Sequence, residues 1–201
     1  MQKTLKLRLT GKDGVPLMVH NNQMVNPLNR YARALKPITS KRNKTDKDVS
    51  DIARIEWEAG FYIGDNKAGL PAENIYACFW EGAKLNKLGK LFKQGVRSVD
   101  IFCPFIEPVI EVEKSEIIPN TSLDKYYEDH LDLRVVKVKR QAVLRARPIF
   151  KKWSLDYTLE YMENHINKVT LLKIIQVASD FIGLGEKRPE LGIFNTEIIE
   201  K

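Results

Sequence analysis

The chain has 201 residues, of which 43% are hydrophobic and 29% are charged, and its formal net charge is +7. This composition is typical of a globular protein and excludes a disordered chain, and a chain of this length can fold without a disulfide or a metal. Its two cysteines, Cys78 and Cys103, lack the spacing of metal ligands and fit a reducing compartment. The net charge favours polyanionic partners through release of their counterions.

The chain begins with MQKTLKLRLT, which alternates in polarity like a strand and does not resemble a signal peptide. No apolar run approaches the about 20 residues that a transmembrane helix needs. We therefore expect a soluble, cytoplasmic protein with no membrane partner. The same segment predicts a first strand at residues 4–10, with leucines on one face and the cations Lys6 and Arg8 on the other.

A large basic insertion is predicted after this strand, at residues 21–60. Its first part, residues 21–48, is rich in Asn, Pro, Lys and Arg and has little periodicity, which predicts a long irregular segment. A helix is predicted at residues 46–58, with Thr45 or Asp46 as its N-cap. The cations of this region either contact a polyanion or belong to a flexible, solvated loop; they are Arg30, Arg33, Lys36, Lys41, Arg42, Lys44 and Lys47.

The next helix is predicted to begin at Leu70 and Pro71, because proline is favoured in the first turn and the acidic Glu73 lies near the positive end of the helix. Its apolar stripe includes Ile75 and Phe79, and the stripe continues at helical spacing. A second, smaller insertion is predicted at residues 99–130, where three prolines and several acidic residues indicate short strands and a loop.

The segment RVVKVKRQAVLRAR, residues 134–147, predicts a basic strand. If it is continuous, its apolar residues share one face and its polar residues share the other. A return strand at residues 153–161 directs its aromatic side chains inwards, and a helix at residues 168–182 follows. The polar face of the basic strand contains Lys137, Lys139, Gln141, Arg145 and Arg147.

Without the insertions, the predicted order is strand, helix, strand, strand, helix, strand, in a single domain of residues 1–201. This is the βαββαβ arrangement of an α+β ferredoxin-like, or RRM-like, fold, with two helices on one face of an antiparallel sheet. The other face is either an anion-binding surface or a protected sheet edge. Because the strand aromatics point inwards, we expect contacts to phosphates rather than base stacking. The cations predicted on this open face are Lys6, Arg8, Lys137, Lys139, Arg145 and Arg147.

Two segments resemble a known family. Residues 61–79, FYIGDNKAGLPAENIYACF, are similar to the strand and IPGSSLKGALR pattern of the RAMP superfamily, which includes the Cas7-like backbone subunits of CRISPR effector complexes. Residues 183–194, GLGEKRPELGIF, resemble the glycine-rich loop between the last helix and last strand of those proteins. The chain departs from the pattern at residues 70–74, where LPAEN replaces Gly-Ser-Ser, and at Pro189. It also resembles small proteins encoded by bacteriophages and prophages.

The resemblance implies binding of RNA or single-stranded DNA without catalysis, and assembly of copies head to tail along the strand. In the glycine-rich loop, Gly183 and Gly185 permit main-chain amides to approach phosphates, and Lys187 and Arg188 add charge. The alternative is a structural role, in which Gly183 ends the helix and a turn follows.

A short second strand is predicted at VPLMVH, residues 15–20, and His20 at the end of this first strand pair is a candidate for acid–base chemistry. RAMP-type endoribonucleases use a histidine near an early strand, which implies this role; the alternative is a locally hydrogen-bonded polar residue. The sequence predicts no metal site and no cofactor. Our leading hypothesis is a non-enzymatic, cytoplasmic protein that binds single-stranded nucleic acid. The alternatives are a metal-independent endoribonuclease using His20, and a bacteriophage protein–protein module that mimics a CRISPR subunit.

Overall fold

The structure is a computed structural model that describes residues 1–138 and 140–199. The predicted contribution of Lys139 lies outside the described residues. The strands are β1 (Gln2–Gly11), β2 (Leu17–Met18), β3 (Tyr62–Gly64), β4 (Lys67–Pro71), β5 (Val96–Ser98), β6 (Phe102–Glu107), β7 (Leu131–Val138), β8 (Gln141–Phe150), β9 (Ser154–Met162) and β10 (Phe194–Ile198). The α-helices are α1 (Arg30–Thr39), α2 (Asp46–Ala59), α3 (Ala72–Leu85), α4 (Gly89–Gly95) and α5 (Lys168–Val177).

The protein has a mixed α+β fold in which the sheets are antiparallel. The main sheet has the strand order β10-β1-β9-β6-β4-β3, and β5 pairs with the end of β9. A second sheet has the order β2-β8-β7. None of the helices in the described ranges, 1–138 and 140–199, has the length and apolar character of a membrane-spanning segment.

The apolar core lies between the main sheet and the helices α3 and α5. The leucines of β1 are buried, as their alternation predicts, and they belong to one cluster with the apolar faces of both helices. The ring of Phe79 in α3 contacts Tyr157 of β9 and Phe194 of β10, with centroid separations of 5.7 and 6.4 Å. The aromatic residues of β9 point into this core, which confirms their predicted direction.

The segment predicted to be irregular contains the helix α1. Its residues Tyr31 and Leu35 are buried and pack with Ile55 of α2 in a small apolar cluster of their own. Asn29 is the N-cap of α1, and its side chain accepts a hydrogen bond of 2.9 Å from the amide of Tyr31, whereas Pro37 in the last turn lacks an amide donor and argues against a helix. The cap and the burial against α2 together stabilise α1 despite this proline.

The helix α2 confirms the prediction at residues 46–58. The hydroxyl of Thr45 accepts a hydrogen bond from the amide of Asp48, and the carboxylate of Asp48 accepts one from the amide of Thr45. This reciprocal pair is a capping box, which satisfies two amides at the helix start. The capping residues and the apolar spacing explain why the sequence alone located this helix.

The basic strand predicted at residues 134–147 is not continuous. It divides into β7 and β8, which pair with each other as a hairpin. Arg140 between them has a φ of +71°, the left-handed backbone that tight hairpin turns require. No glycine or asparagine occurs at this turn, so the sequence gives no local signal for it. Val136 consequently shares a face with Arg145, whereas a continuous strand would put them on opposite faces.

The hairpin also lies outside the main sheet. The neighbours of β9 are β1 and β6, and β6 comes from residues 99–130, the region predicted as an insertion. The prediction that Lys6, Arg8 and the hairpin cations share one open sheet face is therefore wrong. The physical reason is that β8 pairs with β2 and packs against α2, which keeps the hairpin in a separate sheet.

Candidate functional site

A cleft of about 670 Å³ lies where the basic insertion, the β7–β8 hairpin and the segment after β2 meet. Its volume is in the range of protein sites that bind one small ligand or one nucleotide unit. One part of the lining is polar and the other is apolar. The polar residues are His20, Asn22, Lys36, Thr39, Glu56, Arg145 and Arg147, and the apolar ones are Met24, Val25, Pro27, Ala32, Leu35, Val136 and Ala146.

The helix α1 forms one wall of the cleft. It contains three cations and no acidic residue, so it carries a net positive charge. Leu35 packs against α2 and also borders the cleft, and the next residue, Lys36, lines the cleft as well. Lys36 and Arg33 are exposed, and neither forms a side-chain hydrogen bond or ion pair with any described residue.

Arg145 lies in the cleft beside a buried carboxylate. Its guanidinium donates a hydrogen bond to Glu56 of α2, whose side chain also accepts a hydrogen bond of 3.3 Å from the amide of Ala146. Glu56 is only 5% exposed. The carboxylate therefore fixes the position of Arg145 and offsets part of its charge.

Arg147 keeps more of its hydrogen-bonding capacity. Its guanidinium lies 3.6 Å from the carboxylate of Glu186. Its Nε is buried and has no hydrogen-bond partner among the described residues. The Nε is closed to solvent, so the part of Arg147 that can contact an anionic ligand is the rest of its guanidinium, which lines the cleft.

His20 lies at the same end of the cleft. The hydroxyl of Tyr62 donates to its backbone carbonyl over 3.1 Å, and its Nδ1 is buried without a hydrogen-bond partner among the described residues. Burial lowers the pKa of His20, the positive charge of Arg147 lowers it further, and Glu186 opposes both. Because its usual pKa is about 6.5, the imidazole is neutral at pH 7 and can accept a proton.

The glycine-rich loop, residues 183–192, packs against residues 16–18. Gly185 has a φ of +73°, and a Cβ at this position would lie 2.1 Å from the carbonyl oxygen of Met18. The amides of Glu186 and Gly192 donate to the carbonyls of Met18 and Pro16, over 2.8 and 3.0 Å. Glycine is required at position 185 for close approach, and these two amides already have partners.

The end of the helix before this loop has the geometry expected if Gly183 has a structural role and ends the helix. Residues 178–182 form a π-helical turn, and the amide of Gly183, with a φ of +74°, donates to the carbonyl of Ala178 over 2.9 Å. Lys187 and Arg188 are exposed, so their side chains remain available to a ligand. The loop reaches the cleft through Glu186, which contacts Arg147.

The cations of the main sheet lie apart from the cleft and have acidic neighbours. Arg8 donates to Asp156 of β9 over 2.9 Å, and Lys6 lies 3.6 Å from the same carboxylate. Lys137 is on the face of β7 opposite to that of Arg145. The structure therefore brings Arg145 and Arg147 together with His20 and leaves Lys6, Arg8 and Lys137 outside the site.

The cations of the insertion also divide into one that lines the cleft and others that lie outside it. Arg30 donates to the carbonyl of Ser115 over 2.5 Å, Lys41 pairs with Asp48 over 2.5 Å, and Lys44 donates to the carbonyl of Lys41. Arg42 is exposed near the turn between α1 and α2. Among the cations of this region, Lys36 is the one that lines the cleft.

Two acidic residues of the site, Glu56 and Glu186, were not predicted. Each forms a contact with an arginine that is distant in sequence, and no local pattern marks such a pair. In the described part of the chain, no group of three or more His, Cys, Asp or Glu side chains could hold a metal ion. No protein-family model matches the chain, and no curated protein sequence matches it either.

Proposed function

We propose that this protein binds single-stranded nucleic acid, RNA or DNA, with one nucleotide unit in the cleft. The observation that carries the proposal is the convergence of Lys36 of α1 with Arg145 and Arg147 of β8 at one cleft. Phosphates are bound well by guanidinium and ammonium groups in such partly dry sites. The apolar wall gives a base a surface to pack on.

A single strand fits this site better than a duplex. The cleft admits one nucleotide unit, whereas a base in a duplex is held in its stack and cannot enter without being flipped out. Among the described residues, the aromatic side chains of β9 and β10 are buried and those of Tyr62 and Phe102, on β3 and β6, are half-buried, so the main sheet does not present the row of exposed rings of an RRM surface. Binding would therefore depend on phosphate contacts and tolerate different base sequences.

The finer fold and family assignments are part of the same proposal. The order β10-β1-β9-β6, with α3 between β1 and β6 and α5 between β9 and β10, supports a ferredoxin-like core. A glycine-rich loop between α5 and β10 supports membership of the RAMP superfamily. Cys78 and Cys103 are buried thiols without a disulfide, which supports a reducing, cytoplasmic location.

A titration of labelled single-stranded RNA, single-stranded DNA and duplex, followed by fluorescence anisotropy at two salt concentrations, tests the proposal. We expect binding of a single strand that weakens with salt, by about 0.7 in log–log slope for each phosphate contact. Lys36→Glu should weaken binding at least tenfold. The matched control is Lys173→Glu, an equal charge change on an exposed residue of α5. The proposal fails if no single strand binds at low salt or if both variants lose affinity equally.

A second candidate, metal-independent cleavage of RNA, is favoured by the environment of His20. A neutral imidazole could accept the proton of a ribose 2′-hydroxyl as its oxygen bonds to the adjacent phosphorus, and Arg147 beside it could stabilise the negative charge on the phosphate. The bond from phosphorus to the 5′-oxygen would then break, and water would supply the proton to that oxygen. Incubation of labelled RNA in EDTA with the wild type and with His20→Ala tests this. Cleavage by the wild type that His20→Ala abolishes would support it, and intact RNA in both reactions would exclude it.

A further inference from the structure

The outer edge of β7 is an unpaired strand edge with an exposed apolar face. β7 is the last strand of the second sheet, and among the described residues no strand pairs with its outer side. Leu133 and Val135 of β7 are 49% and 66% exposed, and Leu144, opposite Val135 on β8, is 38% exposed. Natural sheets protect long edges of this kind with proline, bulges or charges, and the cation on this face of β7, Lys137, lies four residues from Leu133, near the hairpin turn.

The charges on the other face of β7 are arranged to complement a second copy of the same strand. Arg134 donates to Asp132 of its own chain, and the two side chains lie on one face because they are two residues apart. In a dimer whose two-fold axis is perpendicular to the sheet, every side chain stays on the same face in both copies. Two residues can therefore oppose each other only if both have even numbers or both have odd numbers.

We propose that two copies of this chain associate through antiparallel pairing of their β7 strands, centred on Leu133. In this register Leu133 opposes itself, Leu131 opposes Val135, and Asp132 opposes Arg134 of the other copy, twice. A register centred on Arg134 would instead place two arginines against each other. Cross-strand apolar pairs and opposite charges at directly opposed positions stabilise antiparallel sheets.

The dimer would affect how the protein binds nucleic acid, and this consequence, unlike the dimer itself, rests on the proposed function. The two copies would form one continuous sheet, and the faces that carry Arg145 would lie on the same side of it. Three strand spacings and a two-residue offset separate the two Arg145 positions, which is about 16 Å. One oligonucleotide could then contact both clefts, whereas the association itself needs no nucleic acid.

The test is sedimentation of the protein over a range of concentrations without nucleic acid, so that its outcome is independent of any binding to nucleic acid. We expect the mass of the wild type to rise from one chain towards two. D132R gives a β7 with two adjacent cations, and R134D gives one with two adjacent anions. Each variant alone should remain monomeric because like charges oppose each other, and an equimolar mixture should form a heterodimer.

A further pair of variants controls for unfolding. V135K introduces a charge into the proposed interface at a side chain that is 66% exposed, and V169K makes the same change on α5 at one that is 64% exposed. V135K should be monomeric and V169K should dimerise like the wild type, with equal circular dichroism spectra. A wild type that stays monomeric, a mixture of D132R and R134D that does not associate, or a V135K dimer would overturn the proposal.

Discussion

Arg145 of β8 donates a hydrogen bond to Glu56 of α2, and this ion pair joins the basic insertion to the hairpin. The two residues are 89 positions apart in the sequence, and their contact holds the two sides of the cleft together. The carboxylate has a second partner in the amide of Ala146. A single acidic residue therefore sets the position of one cation and satisfies a backbone donor.

Glu56→Ala should destabilise the protein. The substitution leaves the amide of Ala146 without its partner and removes the charge that faces Arg145, and we expect a loss of about 1–3 kcal/mol in the free energy of unfolding. Urea denaturation measures it. The matched control is Glu197→Ala, an exposed glutamate on β10, which should change stability by less than about 0.5 kcal/mol. Equal losses in the two variants would contradict the structural role of Glu56.

Arg147→Gln should weaken binding of a single strand and reduce its dependence on salt. Loss of one phosphate contact lowers the log–log salt slope by about 0.7. The matched control is Arg97→Gln, whose side chain on β5 is 71% exposed and pairs with Glu160, away from the cleft. Anisotropy titrations at several salt concentrations give both slopes. An unchanged slope for Arg147→Gln would place the phosphates elsewhere.

Gly185→Ala should destabilise the protein more than Gly14→Ala does. Both glycines have a left-handed backbone, with φ of +73° and +75°, which costs an alanine roughly 1–2 kcal/mol. The new Cβ at position 185 would also meet the carbonyl of Met18 at 2.1 Å, whereas the one at position 14 would have no neighbour within 4 Å. Thermal and urea unfolding of both variants would separate the two effects. Equal losses would mean that the loop does not pack closely on residues 16–18.

Asp48→Asn should flatten the acid dependence of stability. The ammonium of Lys41 and the amide and hydroxyl of Thr45 lower the pKa of Asp48 to about 2. Because the pKa of an unfolded aspartate is about 3.9, the ionised carboxylate stabilises the fold above this pH. This contribution is lost as the pH falls from about 4 to about 2.

Urea denaturation between pH 2 and pH 5 checks the last prediction. The wild type should lose stability over this interval more steeply than Asp48→Asn. The matched control is Asp46→Asn, an exposed residue in the first turn of the same helix, which should follow the wild type. A slope for Asp48→Asn that equals that of the wild type would show that the capping carboxylate does not set the acid response.

The sequence by itself determined those elements whose stabilising features are local. The alternating leucines specified β1, and the capping residues Thr45 and Asp48 specified α2. Gly183 specified the end of the π-helical turn that continues from α5. The prediction that the aromatics of β9 point inwards was correct for the same reason, since alternation along one strand decides which side each residue takes. Periodicity and capping depend on neighbours a few residues away, so they are visible in one segment.

Only the tertiary structure decided the position of the hairpin and the composition of the cleft. The turn at Arg140 lacks the usual turn residues, and α1 contains a proline as well as its Asn29 cap, so long-range packing adds to what local preference provides in both. Arg8 and Arg145 have similar sequence surroundings, yet Arg8 pairs on the main sheet with Asp156 and Arg145 lines a cleft beside Glu56. The sequence shows which side chains are charged. The fold decides which of these charges are matched by a partner and which remain available to a ligand, because that depends on residues brought together from distant parts of the chain.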